Sequence, residues 1–342
     1  MKAISLRQPQ RFEMIDLAPP PDPGPGEALV QVHNIGICGT DISGYFGKMP
    51  LMTYPRILGH ELGVEVVAVG DGVTAVAPGD RCSVEPYLDC VDGCLACRRG
   101  APNCCDTLEV LGVHTDGGMR PRFLLPARKL HVSTKLEFEQ LALVETLGIG
   151  AHAVDRGGPG PDDTALIIGA GPIGLATYEF VRLSGAATIF MDLNEERLRF
   201  AKDVMACDHT LVARGDIAGQ LRDLNGGELP NVVFDATGSN RSMSEAVNYI
   251  APTGTLVYVG LTAGELSFPH MAIHKPELTV RATRNSVPAN FRAIIEHIEE
   301  GRIDTGPWIT HRSRFSELIA DFPTYTRLES GVIKAVVALD DD

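Results

Sequence analysis

The chain has 342 residues, and its 44% hydrophobic and 22% charged residues are typical of a globular protein rather than a disordered or fibrous one. With 44 acidic and 30 basic residues the formal net charge is −14, which argues against nucleic acid and anionic membranes as partners, because both require a basic face. The length predicts two domains, and no apolar run reaches the ~18 residues of a membrane span, so we expect a soluble, cytoplasmic protein.

The first third of the chain has the pattern of a β-rich domain. Short runs rich in Val and Ile, at 28–32 and 63–69, are separated by turn clusters such as the Pro- and Gly-rich stretch 19–26. Apolar residues at helical spacing then predict a helix over 141–153, and the Gly- and Pro-rich stretch 156–163 predicts a linker.

From residue 164 onward, strands and helices alternate. The apolar runs predict strands over 165–168, 187–191, 231–236 and 256–260, with helices over 172–183, 195–205 and 241–250. This order predicts a doubly wound parallel sheet with right-handed crossovers. A helix over 290–300 and a strand over 332–339 follow, and the strand resembles the first third of the chain. We therefore expect an α/β protein whose middle domain is inserted into a β-rich domain, ending in a solvated acidic tail at 340–342.

Five of the eight cysteines lie between residues 90 and 105. Disulfide frameworks are typical of short secreted domains, so this cluster in a long chain favours metal binding. Cys90, Cys94, Cys97 and Cys105 have spacings that let one loop surround a zinc ion with four thiolates, which makes a closed and therefore structural site. Cys104 is adjacent to Cys105 and is an alternative fourth ligand.

A second candidate metal site is scattered along the chain. Cys38 lies in Gly-Ile-Cys-Gly-Thr-Asp, His60 and Glu61 in Gly-His-Glu, and Glu145 in the predicted helix over 141–153. Read alone, each is ambiguous, because a single cysteine is often a core residue and a helical glutamate is often solvated. Together, a thiolate, an imidazole and one or two carboxylates make an open zinc site with a free position for water or substrate.

A glycine-rich turn joins the first strand of the middle domain to its helix. Glycines at these positions permit a tight turn and close approach of the backbone to a pyrophosphate, and the helix N-terminus presents free N–H groups. Asp192 ends the second strand, where a carboxylate binds the adenosine ribose and disfavours a 2′-phosphate, so NAD is preferred over NADP. Because Arg197 lies close by in sequence, tolerance of NADP stays open. The turns after the later strands are either contacts to the nicotinamide side of the cofactor or ordinary turns. The predicted cofactor residues are Gly169, Gly171, Pro172, Ile173, Gly174, Asp192, Arg197, Thr237, Val259 and Gly260.

Taken together, these motifs resemble the zinc-dependent medium-chain alcohol/polyol dehydrogenases. Segment 111–118 and the sequence Asn-Cys-Cys at 103–105 are most similar to the branch with sorbitol, threonine, galactitol-phosphate and L-galactonate dehydrogenases. The resemblance implies a GroES-like catalytic domain over 1–155 and 286–342, with the structural zinc lobe at about 90–105, and a Rossmann NAD-binding domain over 156–285. It also implies a homodimer or homotetramer.

The resemblance further implies a catalytic zinc held by Cys38, His60 and a carboxylate, with Glu61 and Glu145 as alternatives. The implied reaction is reversible oxidation of a secondary hydroxyl of a sugar alcohol or sugar acid to a ketone by NAD, with Thr40 accepting the hydroxyl proton. Ser43 replaces the histidine relay usual in the family. Proton release therefore runs either from Thr40 through the ribose hydroxyls, or through Glu61 and water.

Substrate contacts and competing functions complete the sequence-based hypotheses. Arg284 and Asn285 are candidate contacts to a polar substrate or to the cofactor, although a surface loop explains them equally well. His114 is a candidate substrate contact in the cleft, and a structural histidine is the alternative. Segment 119–123 departs from the family pattern, and either packing or substrate binding is the reason.

One alternative function is a threonine or simple alcohol dehydrogenase. Another is a non-catalytic NAD-binding regulator, which Ser43 favours and the intact metal-site residues disfavour.

Overall fold

The computed structural model describes residues 1–339, and the acidic tail predicted at 340–342 lies outside the described residues. The chain forms two compact units. One contains Met1–Thr146 together with the chain from Val287 onward, and the other contains Leu147–Ser286. Within the described part of the chain, none of the helices combines the length and the apolar character needed to cross a membrane.

The N-terminal part of the chain consists mainly of short strands, in agreement with its Val- and Ile-rich runs. Its strands are β1 (Lys2–Gln8), β2 (Arg11–Asp16), β3 (Glu27–Ile37), β4 (Arg56–Ile57), β5 (Glu61–Val69), β6 (Arg81–Val84), β7 (Tyr87–Leu88), β8 (Glu109–Val110), β9 (Arg122–Pro126) and β10 (Leu130–Val132). Its helices are α1 (Gly39–Tyr45), α2 (Leu95–Arg98) and α3 (Phe138–Gly157). Helix α3 is longer than predicted and includes residues 156 and 157, which the sequence analysis wrongly assigned to a linker.

The middle of the chain alternates between strands and helices. Its elements are β11 (Thr164–Ile168), α4 (Pro172–Ser184), β12 (Ala187–Asp192), α5 (Glu195–Asp203), β13 (His209–Val212), α6 (Ile217–Leu224), β14 (Val232–Asp235), α7 (Asn240–Glu245), β15 (Thr255–Tyr258), α8 (Met271–His274) and β16 (Thr279–Ala282). The six strands form one parallel sheet in the order β13-β12-β11-β14-β15-β16. The predicted doubly wound sheet is therefore confirmed. The strand order reverses at β11 and β14, and ligands of doubly wound sheets bind at the carboxyl ends of the strands beside such a reversal.

The C-terminal part of the chain returns to the N-terminal strands. Its elements are α9 (Pro288–Glu299), β17 (Ile309–Arg314), α10 (Leu318–Tyr325) and β18 (Lys334–Ala338). A seven-stranded sheet has the order β10-β6-β5-β3-β18-β17, and β9 also pairs with β3. Strand β18 runs antiparallel to β3, with Ala335 opposite Ile37. This pairing brings Lys334 next to the end of β3 that leads into Cys38.

Segment 119–123 packs into this unit. The Met119 side chain is fully buried, its N–H donates to the carbonyl of Leu58 at 2.9 Å, and its own carbonyl accepts the N–H of Ile4 at 2.9 Å. Met119 therefore packs within this unit.

Candidate functional site

Cys38 lies between β3 and α1, where Asp41 holds the backbone. The Asp41 carboxylate accepts the N–H of Cys38 at 2.9 Å and that of Gly59 at 3.4 Å, and it lies 3.8 Å from Nδ1 of His60. Asp41 is completely buried. It therefore ties the Cys38 loop to the His60 turn. The sequence analysis missed this role, although an acidic residue in the first turn of a helix after the cysteine was a visible signal.

The turn before His60 is supported by a second glycine-containing segment. Gly59 has φ of +94°, a conformation that suits glycine. The N–H of Gly117 donates to the carbonyl of Ile57, and that of Gly118 to the carbonyl of Gly59, both at 2.8 Å. A Cβ atom on Gly117 would lie 2.3 Å from the Gly59 oxygen. The branch-like motif at 111–118 thus permits the close approach that positions His60.

Glu61 begins β5 and is held by two residues from distant parts of the chain. Nζ of Lys334 lies 2.7 and 2.8 Å from the two carboxylate oxygens of Glu61, and the Thr146 hydroxyl donates to one of them at 2.6 Å. Burial opposes ionisation of Glu61, but the adjacent Lys334 lowers the pKa of Glu61 below its usual value. The sequence analysis missed both partners. A lone lysine within a terminal apolar strand was the one available signal.

The structure brings three of the four predicted catalytic-site ligands together. Cys38, His60 and Glu61 each offer a ligand atom, and these atoms all lie within 4.8 Å of one another. Glu145, on α3, is outside that set. It is buried, and one of its oxygens accepts a hydrogen bond from the Tyr87 hydroxyl.

The buried acidic side chains at this site outnumber the buried lysine, which suits a divalent cation. Asp41, Glu61 and Glu145 are buried carboxylates, and Lys334 is the buried ammonium that faces Glu61. Burial raises the pKa of Asp41 and of Glu145. Burial alone would lower the pKa of His60, but the nearby Cys38 and Asp41 raise it well above its usual value. Nδ1 of His60 is buried without a hydrogen-bond partner among the described residues. Thiolate, imidazole and carboxylate donors fit zinc.

The cysteine lobe brings four sulfur atoms together. One sulfur each from Cys90, Cys94, Cys97 and Cys105 lies within 4.8 Å of the others, whereas Cys104 is exposed and outside the set. Burial opposes ionisation of Cys105, but the Cys90 N–H at 3.3 Å and contacts with Thr107 lower the pKa of Cys105 to about 6. All eight cysteines are free thiols. Four converging sulfurs fit a closed tetrathiolate zinc site.

The glycine-rich turn after β11 has the geometry expected for binding a diphosphate. Gly169 has φ of +98°, and a Cβ atom on Gly174 would lie 1.8 Å from the Gly169 oxygen. The Asp192 carboxylate accepts the N–H of Ala170 at 2.7 Å and that of Asn194 at 2.8 Å, which fixes it beside the turn. An Arg197 nitrogen lies 3.7 Å from the position that a Gly171 Cβ would occupy. Helix α4 begins at Pro172, and the N–H groups of Ile173 and Gly174 in its first turn, together with the nearby guanidinium, favour an anion.

Two further predicted cofactor segments follow neighbouring strands. Thr237 comes after β14, and both its N–H and its hydroxyl donate to the Asp235 side chain, at 2.9 and 2.6 Å. Val259 and Gly260 come after β15, and their N–H groups donate to the Asp235 carbonyl at 2.8 and 2.9 Å. Both segments therefore lie at the carboxyl edge of the parallel sheet, the ligand-binding edge of this architecture.

The roles predicted for the remaining site residues stay predictions. Thr40 is half-buried in the first turn of α1, the helix that also contains Ser43. His114 accepts the Val110 N–H at 3.1 Å through its ring Nδ1. Arg284 is exposed, and Asn285 has a left-handed φ of +53°.

Comparison with known proteins identifies relatives along nearly the whole chain. A family model described as alcohol dehydrogenase GroES-like domain matches residues 24–135, and one described as zinc-binding dehydrogenase matches 172–300. L-galactonate-5-dehydrogenase of Escherichia coli K12 is 35% identical over 317 residues, or 93% of each chain. The alcohol dehydrogenase rspB of E. coli CFT073, complexed with NADH, has a TM-score of 0.92 at 29% identity over 99% of both chains. A zinc-binding dehydrogenase of Sinorhizobium meliloti 1021, bound to NADP, has a TM-score of 0.89 at 28% identity over 98% of both.

Proposed function

Because the chain belongs to the zinc-dependent medium-chain alcohol/polyol dehydrogenase family, we propose that it reversibly oxidises a secondary hydroxyl of a sugar acid or sugar alcohol to a ketone, with NAD as the cofactor. The main support is the buried set of Cys38, His60 and Glu61, whose ligand atoms lie within 4.8 Å of one another. The likeness to an L-galactonate-5-dehydrogenase over 93% of both chains favours a sugar-acid substrate.

Each part of the chemistry has candidate residues. Cys38, His60 and one carboxylate, Glu61 or Glu145, would hold the catalytic zinc, and the four lobe cysteines would hold the structural zinc. When bound, zinc supplies a Lewis acid and the nicotinamide ring a hydride acceptor. The Thr40 hydroxyl accepts a hydrogen bond from the substrate hydroxyl and relays its proton onward, either through the ribose hydroxyls or through Glu61 and water. Burial of Asp41 and His60 keeps bulk water away from the donor set.

The middle domain, over 156–285, binds the dinucleotide in this proposal, and residues 1–155 and 286–342 form the catalytic domain. Asp192 is held by two backbone N–H groups, which supports a fixed contact to the adenosine ribose and a preference for NAD. We further propose a homodimer or homotetramer. All four residues of edge strand β16 are exposed, and an exposed edge strand can pair with a second copy of the chain.

The decisive test is NADH formation followed at 340 nm with a panel of aldonates, hexitols, threonine and ethanol. We expect activity with members of the first two classes and loss of activity after zinc chelation. Turnover of threonine or ethanol alone would favour the alternative dehydrogenases. A zinc-loaded protein that is inactive across the whole panel would contradict the proposal and favour a non-catalytic NAD-binding regulator.

Cysteine variants then test the metal site itself. Cys38→Ser should abolish turnover and leave NADH binding intact, because it removes only the thiolate ligand. Cys104→Ser is the matched control, since this exposed thiol lies outside the four-sulfur set. Retained turnover in Cys38→Ser would rule out the assigned zinc ligand.

A further inference from the structure

A short run of chain at β7 connects the cysteine lobe with the candidate catalytic site. Glu85, Tyr87 and Asp89 occupy alternate positions of this run, and the side chains at 85, 87 and 89 are all at least nine-tenths buried. Cys90, the first lobe cysteine, follows directly. Tyr87 begins the two-residue strand β7, and we refer to these three polar residues, two positions apart in sequence, as the row.

The two outer members of the row are held by charged partners. Glu85 pairs with Lys129 through one oxygen and lies 3.0 Å from the His131 ring through the other. Lys129, itself 1% exposed, also lies 2.7 Å from Asp89, which accepts a second hydrogen bond from Arg128 at 2.6 Å. Lys129 therefore bridges the two ends of the row and fixes the position of the residue between them.

The central residue, Tyr87, contacts Glu145, the second candidate carboxylate ligand. The Tyr87 hydroxyl donates to an oxygen of Glu145, and the two residues are 2% and 4% exposed. The Tyr87 ring lies edge-on to Phe291, with ring centroids 6.4 Å apart, and Phe291 stacks on His131 at 4.8 Å. The phenol is thus held both by its ring and by its backbone. Glu145 directly precedes Thr146, whose hydroxyl donates to Glu61 of the candidate metal site at 2.6 Å.

We propose that Tyr87 is a positioning residue of the catalytic metal site, whose hydroxyl holds the Glu145 carboxylate in place while the ion pairs of Glu85 and Asp89 hold Tyr87. This inference rests on the proposed function, because it assigns the site a resident metal. Hydrogen-bond partners of metal-site groups typically contribute about 10- to 100-fold to metal affinity. Tyr87→Phe removes the hydroxyl and keeps the ring that packs on Phe291.

The test measures Co²⁺ binding to the zinc-depleted protein by visible absorption, which does not depend on turnover. The signal of the catalytic site is the part of the absorption that Cys38→Ser removes. We expect Tyr87→Phe to bind Co²⁺ at this site about 10- to 100-fold more weakly and to change its absorption. Tyr325→Phe is the matched control, because it also loses a buried phenol, one that donates to Ser313 at 2.7 Å, and it should bind Co²⁺ normally.

A double-variant cycle tests whether Tyr87 acts through Glu145. In the Glu145→Leu background, Tyr87→Phe should cause no further loss of Co²⁺ affinity. Additive losses, or a Tyr87→Phe protein with unchanged affinity and spectrum, would overturn the inference. Glu145→Leu alone removes the acceptor of the same hydrogen bond. Unchanged Co²⁺ binding in that variant would also overturn the inference. A wild-type protein without a Cys38-dependent signal would instead contradict the proposed metal-dependent function.

Discussion

Lys334 offers no ligand atom to the candidate metal site, but we expect its loss to disturb the site strongly. Its ammonium contacts both oxygens of Glu61, at 2.7 and 2.8 Å, and the Thr146 hydroxyl at 3.0 Å. The side chains of Lys334 and Glu61 are 2% and 1% exposed, so bulk water cannot replace either partner. Lys334→Met keeps an apolar side chain and leaves the carboxylate of Glu61 buried without its counter-ion.

The expected loss of stability in Lys334→Met follows from this burial. Removing one partner of a buried ion pair costs about 3–5 kcal/mol, because the remaining charge still bears its desolvation cost. Thr146 continues to donate to Glu61 at 2.6 Å, so we expect the lower end of that range, about 3 kcal/mol. The double variant with Glu61→Gln removes both charges and should recover about 1 kcal/mol or more of the lost stability.

Urea unfolding followed by circular dichroism, with zinc removed from every sample, measures these differences. Lys2→Met is the matched control, since Lys2 and Asp16 form a surface pair at 2.8 Å with side chains 57% and 78% exposed. This surface variant should lose far less stability than Lys334→Met, because solvent screens the exposed pair. The reasoning fails if Lys334→Met loses no more stability than Lys2→Met, or if the double variant is no more stable than Lys334→Met.

Three further predictions concern other parts of the chain. Burial raises the pKa of Cys82 to about 12 and that of Cys207 to about 11, so at pH 8 both should resist alkylation in the folded protein while exposed Cys104 reacts, as mass spectrometry would show. Labelling of these two buried thiols should accelerate about tenfold per pH unit, because the thiolate fraction rises with pH. Asp192→Ala should weaken NAD binding far more than NADP binding in a fluorescence titration, and equal losses would contradict the cofactor preference. Burial and the nearby Asp235 raise the pKa of Tyr258 to about 12. The unfolded chain then loses this proton first as pH rises, so wild type should lose about 1 kcal/mol between pH 9 and 11 that Tyr258→Phe does not.

The family resemblance and the fold class predicted from the sequence are confirmed, and the reason is that their signals are local. The turn at Gly169–Gly174 needs glycines because of contacts within a few residues, and alternating apolar runs predicted most strands of the parallel sheet. Strand β16 was missed because it has only four residues, and Val280 and Ala282 alternate in it with polar residues instead of forming a continuous apolar run. Strand β13 was missed because it is short and begins with an exposed histidine.

The partners of the candidate metal site could not be predicted in this way. Glu61 and Lys334 are 273 positions apart in the sequence, and Tyr87 and Glu145 are 58 apart. No spacing rule relates such pairs, since strand pairing and packing alone bring them together. The sequence therefore indicates the metal-ligand types, whereas the structure is needed to find the groups that hold them.

The position of Lys334 also makes the site depend on the C-terminal part of the chain. Strand β18 pairs with the end of β3, and Lys334 donates to the Ile37 carbonyl at 3.4 Å, directly before Cys38. Until β18 is in place, Glu61 lacks the Lys334 ammonium, and burying its carboxylate without that partner costs several kcal/mol. The cysteine lobe has no such requirement, because its four sulfurs come from one continuous loop between Cys90 and Cys105. We therefore expect the lobe to be able to bind metal before the catalytic site is assembled.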